Sequence, residues 1–420
     1  MLLTIAGQQY SVEYVEDPSR ITEALTQVNP KFFTFDVEST GLHIKKDRPF
    51  LAAICFDYQV FVFPATAEML RWLPSWSKLV ERVWGHNVTF DMHMTANVVG
   101  DQVVLDVKNW GDTQAMARLV LEAISARDGG DRIGLKDLGK KYIDRNADKW
   151  EQEVKAWLKA KEAHNQKVLT AFLKSVGWTK KRFQEALKNG ETLPESVRQV
   201  VQEWRRYYPK PTYQDVPMEI MLPYVAVDVI LTKIWVKKCE PVVAFRCQTA
   251  TLQRELRCLP VVWKIERQGL SVDRQYLMDS KVKLEQYIDK LYDRLYELTG
   301  EQFSVNERKA IQQIYTDVLG EEPKSVDKKF LKKMADKGDQ VAPIITRLRR
   351  LEKWLKTYVE RILEVSEYDG RFYTQLNQFN PVSGRFSSDA QQFFNDYYTE
   401  VWTYKVGTDN HEYTVNDYEL

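Results

Sequence analysis

The sequence is poor in the residues that carry thiol and imidazole chemistry. Among 420 residues only 4 are cysteine, at positions 55, 239, 247 and 258, and only 5 are histidine. No two cysteines have metal-ligand spacing, and four in a chain this long do not make a disulfide framework. They read as buried or half-buried thiols of a reducing compartment. No apolar run approaches the roughly 20 residues of a membrane span. The opening MLLTIAGQQY lacks the basic start and long apolar stretch of a secretory signal. The expectation is a soluble, cytoplasmic protein without a membrane partner. Charge of one sign is also missing: the formal net charge is +1. That total excludes little, because a neutral sum can conceal basic stripes.

What is present is an ordinary globular composition, 44% hydrophobic and 28% charged, long enough for two or three domains. Aromatic residues reach 12%, with 12 Trp and 21 Tyr. Such rings fill cores, and exposed ones also stack on bases. Along the chain, a short strand pattern and the helical stretch DPSRITEALTQVN precede KFFTFDVEST, which alternates as a strand does. LAAICFD and QVFVFPA follow as two more β-prone runs, so the sheet is expected to begin antiparallel. VWGHNVTFDMHMTANVV reads as a short strand leading into a helix, and helical spacing dominates from about residue 105.

Residues 148–217 form a charged segment in which fourteen Lys and Arg stand against seven Glu between positions 149 and 211. Trp150, Trp157, Trp178 and Trp204 are interleaved with them. Two readings stay open: a helical insertion with its own small core, or a basic lobe that guides a nucleic-acid strand. Beyond residue 240 the pattern turns to long amphipathic helices. Leu284, Ile288, Leu291, Leu295 and Leu298 make one stripe, and Leu348, Leu351, Leu355 and Ile362 another. The polar face of the second holds Arg347, Arg349, Arg350, Lys353 and Lys356, either a solvated face or a DNA-backbone contact. A domain boundary is expected near residue 240.

Three short elements carry candidate chemistry. FDVES places Asp36 and Glu38 two apart on a strand, hence on one face. Two carboxylates so close repel each other unless a cation lies between them, which suits a hard divalent metal. HNVTFDMH sets Asn87 and Asp91 four apart around Phe90, where a helix cap would explain the Asn equally well. YVAVD places Tyr224 and Asp228 on one face of an apolar helix. An ionised Asp there needs a partner, whereas the Tyr ring could be core.

DVESTGL, NVTFD and YVAVD together resemble the three motifs of the 3′–5′ proofreading exonucleases with four acidic residues and a tyrosine. WGDTQAMARLV and RIGLKDLGKKYI are similar to segments of the exonuclease domain of family A DNA polymerases. The resemblance implies an RNase H-like fold and a metal-dependent 3′–5′ exonuclease using two Mg²⁺ or Mn²⁺ ions. Asp36, Glu38 and Asp228 would hold one ion, Asp91 would help with a second, and Tyr224 would orient the attacking water. Asn87 and Phe90 are further candidates for contact with DNA, whose single-stranded 3′ end and primer–template duplex are the expected partners. No catalytic histidine is required.

The second half resembles the same family. LQRELRCLPVVWKIERQGLSVDRQYL is similar to the opening of its polymerase region, and GEQFSVNERKAIQQIYTDVLG to part of its thumb. QFNPVSGRFSSDAQQFF resembles the segment that grips primer and template. On that resemblance Arg385 and Gln391 would contact DNA; Arg349 and Lys353, from the basic helix face, are the further candidates for duplex contact. The elements that bind the incoming nucleotide do not follow. The expectation is therefore a split or truncated, phage-like polymerase in a bacterial or phage-infected cell, with a second polypeptide supplying palm and fingers. In fold class it is α/β: a mixed-sheet exonuclease domain over 1–240 with the helical insertion at 148–217, then a mainly helical thumb and the start of a palm over 241–420. A free-standing DNA or RNA trimming nuclease, or a non-catalytic DNA-binding subunit, remain alternatives.

Overall fold

The computed structural model describes residues 1–121, 131–379 and 386–388. The chain forms two compact units, Met1–Arg267 with a short segment starting at Asn377, and one that begins at Gln268 and runs to Leu376.

The first unit is built on a seven-stranded mixed sheet. Its strands are β1 (Leu2–Ile5), β2 (Gln8–Tyr14), β3 (Phe32–Ser39), β4 (Pro49–Phe56), β5 (Gln59–Pro64), β6 (Arg82–Gly85) and β7 (Trp110–Asp112). Their order is β1-β2-β5-β4-β3-β6-β7. β3, β4 and β5 run antiparallel, as the three closely spaced apolar runs lead one to expect. β2–β5, β3–β6 and β6–β7 are parallel. β7 is a strand where helical spacing was expected; three residues are too few to display a period of two.

Alternation along the strands sorts side chains between two cores. Phe33, Phe35 and Val37 of β3 lie in one, with Ala52, Ile54, Phe61 and Phe63 of the neighbouring strands. Leu51, Ala53, Cys55, Val60 and Val62 face the other, where they meet Val225, Ala226, Val229 and Ile230 of the long helix Met218–Phe245. That helix is apolar on nearly all sides, the signature of a helix with cover all round. It even buries Lys233, whose ammonium donates to the carbonyl of Asp57 and lies 4.6 Å from the centres of both the Tyr10 and Tyr58 rings. Among the described residues no helix is long and apolar enough to cross a membrane.

The helix continues through residue 240, where the sequence suggested a boundary, and buries Val243. The next helix, Thr249–Gln268, packs Leu252, Leu256, Leu259 and Trp263 into the same core as Phe33 and Phe35. The compact unit therefore closes at Arg267. The charged segment forms helices Lys149–Ser175, Lys180–Lys188 and Glu195–Tyr207. Its far end has a small core of Leu169, Leu173, Phe183, Val197 and Val201, against which Trp178 and Trp204 pack. Trp150 and Trp157 pack instead on the core around the central helix.

In the second unit, helix Arg274–Thr299 buries Leu284, Ile288 and Leu295 against Ile345, Leu348 and Leu351 of helix Val341–Lys353. The stretch Trp354–Glu360 is π-helical. Its wider turn carries the apolar stripe off the core after Leu355, leaving Ile362 half-buried. The FSVN segment is docked here by polar bonds. Asn306 and the Tyr292 hydroxyl donate to the Glu352 carboxylate at 2.6 and 2.5 Å. Arg349 donates to the carbonyls of Val305 and Val326 at 2.7 and 3.0 Å. Replacing Arg349 by Met strands those carbonyls and is expected to cost about 1–3 kcal/mol, read as a lower urea midpoint with an unchanged slope.

Candidate active site

The site begins with the alternation of β3. Thr34, Asp36 and Glu38 share the face opposite Phe33, Phe35 and Val37, and that face looks onto the central helix. The buried Thr34 hydroxyl is within hydrogen-bonding reach of the carbonyls of Val229 (2.8 Å) and Cys55 (3.2 Å). It thus ties the strand to the helix one residue past Asp228. Ligand atoms of Asp36, Glu38 and Asp228 consequently lie within 4.8 Å of one another. The group is sheltered and like-charged. Burial pushes the Asp36 carboxyl up to about 8, with the Asp228 charge adding to it. Glu38 is raised well above the carboxylate range by burial, then by Asp36 and Asp228. Asp228 is raised by burial, with Lys136 opposing. An all-oxygen donor set that costs free energy when ionised fits a hard divalent cation.

Asp91 reaches the same strand end from helix Val88–Val99. The β3–β6 ladder runs only from Phe32↔Arg82 to Thr34↔Trp84. Beyond it, the Val37 N–H donates to Asp91 Oδ1 at 3.0 Å. Asp91 thus satisfies the N–H of Val37, the residue between the two acids of β3 in sequence, beyond the end of the β3–β6 ladder. Burial raises it strongly, followed by the Asp36 charge, while the Val37 bond opposes. The turn into this helix is tight. A Cβ on Gly85 would lie 2.6 Å from Val88, and Asn87 is left-handed at φ 63. Asn87 occupies the cap position without capping through its side chain. The Asp112 carboxylate of β7 does so instead, accepting from the N–H groups of Asn87 and Val88 at 3.1 and 2.9 Å.

Tyr224 stands one turn before Asp228 on the central helix. Burial, then the Glu38 and Asp228 charges, push its hydroxyl far above the ordinary phenol range. It is a fixed O–H. Three neighbours escaped sequence reasoning. Lys136, from RIGLKDLGKKYI, pairs with Asp228 Oδ1 and lies 5.2 Å from the Tyr224 ring centre. Tyr213 packs its ring 6.0 Å from that of Tyr224 and senses the charge of Glu38. Asp228 in turn feels the charge of Glu151, in the first turn of the insertion's helix Lys149–Ser175. Lys136 lies in a segment that resembled the family, but its neighbours gave it no signal. Tyr213 and Glu151 are brought in only by tertiary packing.

The expected DNA-contacting residues are less uniform. Asn87 is exposed and Phe90 half-buried. Two donors of Arg349 are engaged within the fold, and Lys353 lies 5.7 Å from the Tyr358 ring. Arg385 and Gln391 lie outside the described residues.

Residues 12–169 match the family model "3'-5' exonuclease", and residues 274–394 match "DNA polymerase family A". DNA polymerase I of Caldicellulosiruptor bescii is 27% identical over 40% of this chain and 20% of that protein. DNA polymerase I of Chloroflexus aurantiacus is 25% identical over 44% and 21%. That of Streptococcus pneumoniae is 30% identical over 30% and 16%. The matched part thus spans about a fifth of these relatives' length. Among solved structures, the POL domain of Pol1 from M. smegmatis, in complex with DNA primer-template and dNTP, shares the fold. Its TM-score is 0.58 at 17% identity, over 90% of this chain and 54% of that one. The two matches, in this order along one polypeptide, identify a 3′–5′ exonuclease domain followed by part of a family A DNA polymerase domain.

Proposed function

We propose that this chain is a metal-dependent 3′–5′ exonuclease that removes nucleotides from DNA 3′ ends, the editing activity of a family A polymerase. The observation that carries the reading is the convergence of Asp36, Glu38 and Asp228 oxygens within 4.8 Å inside the region matching the exonuclease model. Asp36, Glu38 and Asp228 are the ligands for one Mg²⁺ or Mn²⁺, with Asp91 serving a second. Bound there, divalent cations supply a water of lowered pKa and stabilise charge on the departing oxygen.

The chain's own groups do the positioning. Tyr224, protonated and one turn from Asp228, donates or accepts a hydrogen bond that aims the attacking water at phosphorus. A new P–O bond forms to that water, the P–O3′ bond breaks, and the 3′-oxygen leaves with a proton. Asn87, exposed, and Phe90, half-buried, stand beside Asp91 to receive the terminal nucleotide. A mismatched end reaches such a pocket more readily than a paired one because unpairing it costs less. Duplex contact is assigned to Lys353, Arg349, Arg385 and Gln391. The second polypeptide expected from the sequence has no support in the matched relatives.

On a primer with a mismatched 3′ end in Mg²⁺, the wild-type chain is expected to shorten the primer stepwise, releasing mononucleotides. Asp36→Ala is expected to lose about 10³-fold or more of that rate while binding the primer as before. Hydrolysis unchanged in Asp36→Ala, or none by either protein, would sink the reading. Asp91 separates structure from chemistry. Asp91→Asn keeps an acceptor for the Val37 N–H, so its stability should stay within about 1 kcal/mol of wild type, whereas Asp91→Ala should lose about 1–3 kcal/mol. Both should be equally impaired in hydrolysis. Tyr224→Phe should lower kcat by about 10–100-fold with KM little changed, the outcome of removing a hydrogen bond to the reacting water.

A further inference from the structure

Lys136 is a cation in the place where the carboxylates require one. Its ammonium pairs with Asp228 Oδ1 and lies 5.2 Å from the ring centre of Tyr224. The side chains of Lys136 and Asp228 are 21% and 13% exposed, so water screens this pair less than it does the surface pairs on the same helix. Lys140 and Lys141, also on helix Leu135–Tyr142, pair instead with Asp148 and Asp131, and their side chains are 47% and 59% exposed. Lys136 is felt by Asp36 and Glu38 as well as by Asp228, and in each case it offsets the repulsion of the cluster.

Helix packing delivers the pair. Gly139 lets helix Leu135–Tyr142 lie directly on the central helix: a Cβ there would meet Leu231 at 3.1 Å and Ala147 at 3.0 Å. Lys136 and Asp228 stand three residues before Gly139 and Leu231, so the ion pair is the next turn of the same crossing. Its position is set by the close approach of Gly139 to the Leu231 and Ala147 side chains one turn further on.

We infer that Lys136 is a positioning residue, an internal counter-cation that holds Asp228 and Tyr224 in register and is exchanged for the divalent metal when the site loads. The inference rests on the carboxylates being the metal site. An ammonium and a divalent cation cannot both sit against one carboxylate oxygen without strong repulsion, so metal entry displaces the ammonium. Lys136 keeps the four-carboxylate end of β3 assembled before metal arrives, at a cost in metal affinity.

The test compares wild type with Lys136→Met, Lys136→Gln and Lys136→Arg by Mn²⁺ titration calorimetry and by melting with and without Mn²⁺. Asp228→Asn locates the binding. Exchange predicts that Met and Gln bind Mn²⁺ about fivefold or more tightly than wild type. Their metal-free melting temperature should fall by about 2–4 °C, with Mn²⁺ restoring it toward the wild-type value. Arg, which keeps the charge, should return both quantities toward wild type. Unchanged or weaker Mn²⁺ affinity in Met and Gln, with wild type still binding, overturns the exchange alone. A purely structural Lys136 would lower the melting temperature equally with and without Mn²⁺. If Met fails to fold, Gln carries the same comparison. A wild-type chain that binds no Mn²⁺ overturns both the exchange and the carboxylate metal site.

Discussion

Repulsion between carboxylates held out of water is the constraint on which the first unit depends. Asp36, Glu38, Asp91 and Asp228 are each raised by burial first and by neighbouring acids as well. Such a cluster would spread apart on a soft scaffold. Here the two strand acids stand on a strand with cores on both faces, and the helix acid rides on the longest buried helix of the unit. The Thr34 bond to the Val229 carbonyl closes the joint between them. The rigidity of sheet and helix is what keeps like charges within reach of one another.

Much of this was legible in the sequence because the relevant signals are local. A period of two sets Asp36 and Glu38 on one face, and a spacing of four does the same for Tyr224 and Asp228. The strand runs around Phe35, Ile54 and Phe61 are long and rich in β-formers. What escaped is set by tertiary contact. Asp112 looked unremarkable because its strand is three residues long, yet it caps the helix that presents Asp91. Lys136 is one basic residue among several on its helix, and only the crossing at Gly139 singles it out. The boundary expected near 240 failed to register that the leucines of Thr249–Gln268 complete the sheet's core rather than starting a new one.

In the second unit, part of the basic face is engaged within the fold. Arg347 lies 5.3 Å from the Tyr287 ring centre, and Arg349 binds two carbonyls across the FSVN segment. A guanidinium has donors in a fixed fork and can bridge backbone groups that a lysine would reach one at a time. Part of the positive charge in this stripe is therefore mortar between helices. Composition cannot distinguish that use from one directed at phosphate.

The insertion's first helix has 27 residues, and only its near end is clamped in the main core, by Val154 and Trp157. At 1.5 Å per residue it is roughly 40 Å long, and its outer half belongs to a separate small cluster of five buried side chains. Such a helix is a lever with its fulcrum beside the carboxylates. A tilt of about 5° about that clamp would sweep the far end through roughly 2–3 Å, while Glu151, in the first turn, would move by only tenths of an ångström. The same tilt would therefore displace the outer lobe far more than the residues beside the carboxylates, because the arm on their side of the clamp is the short one.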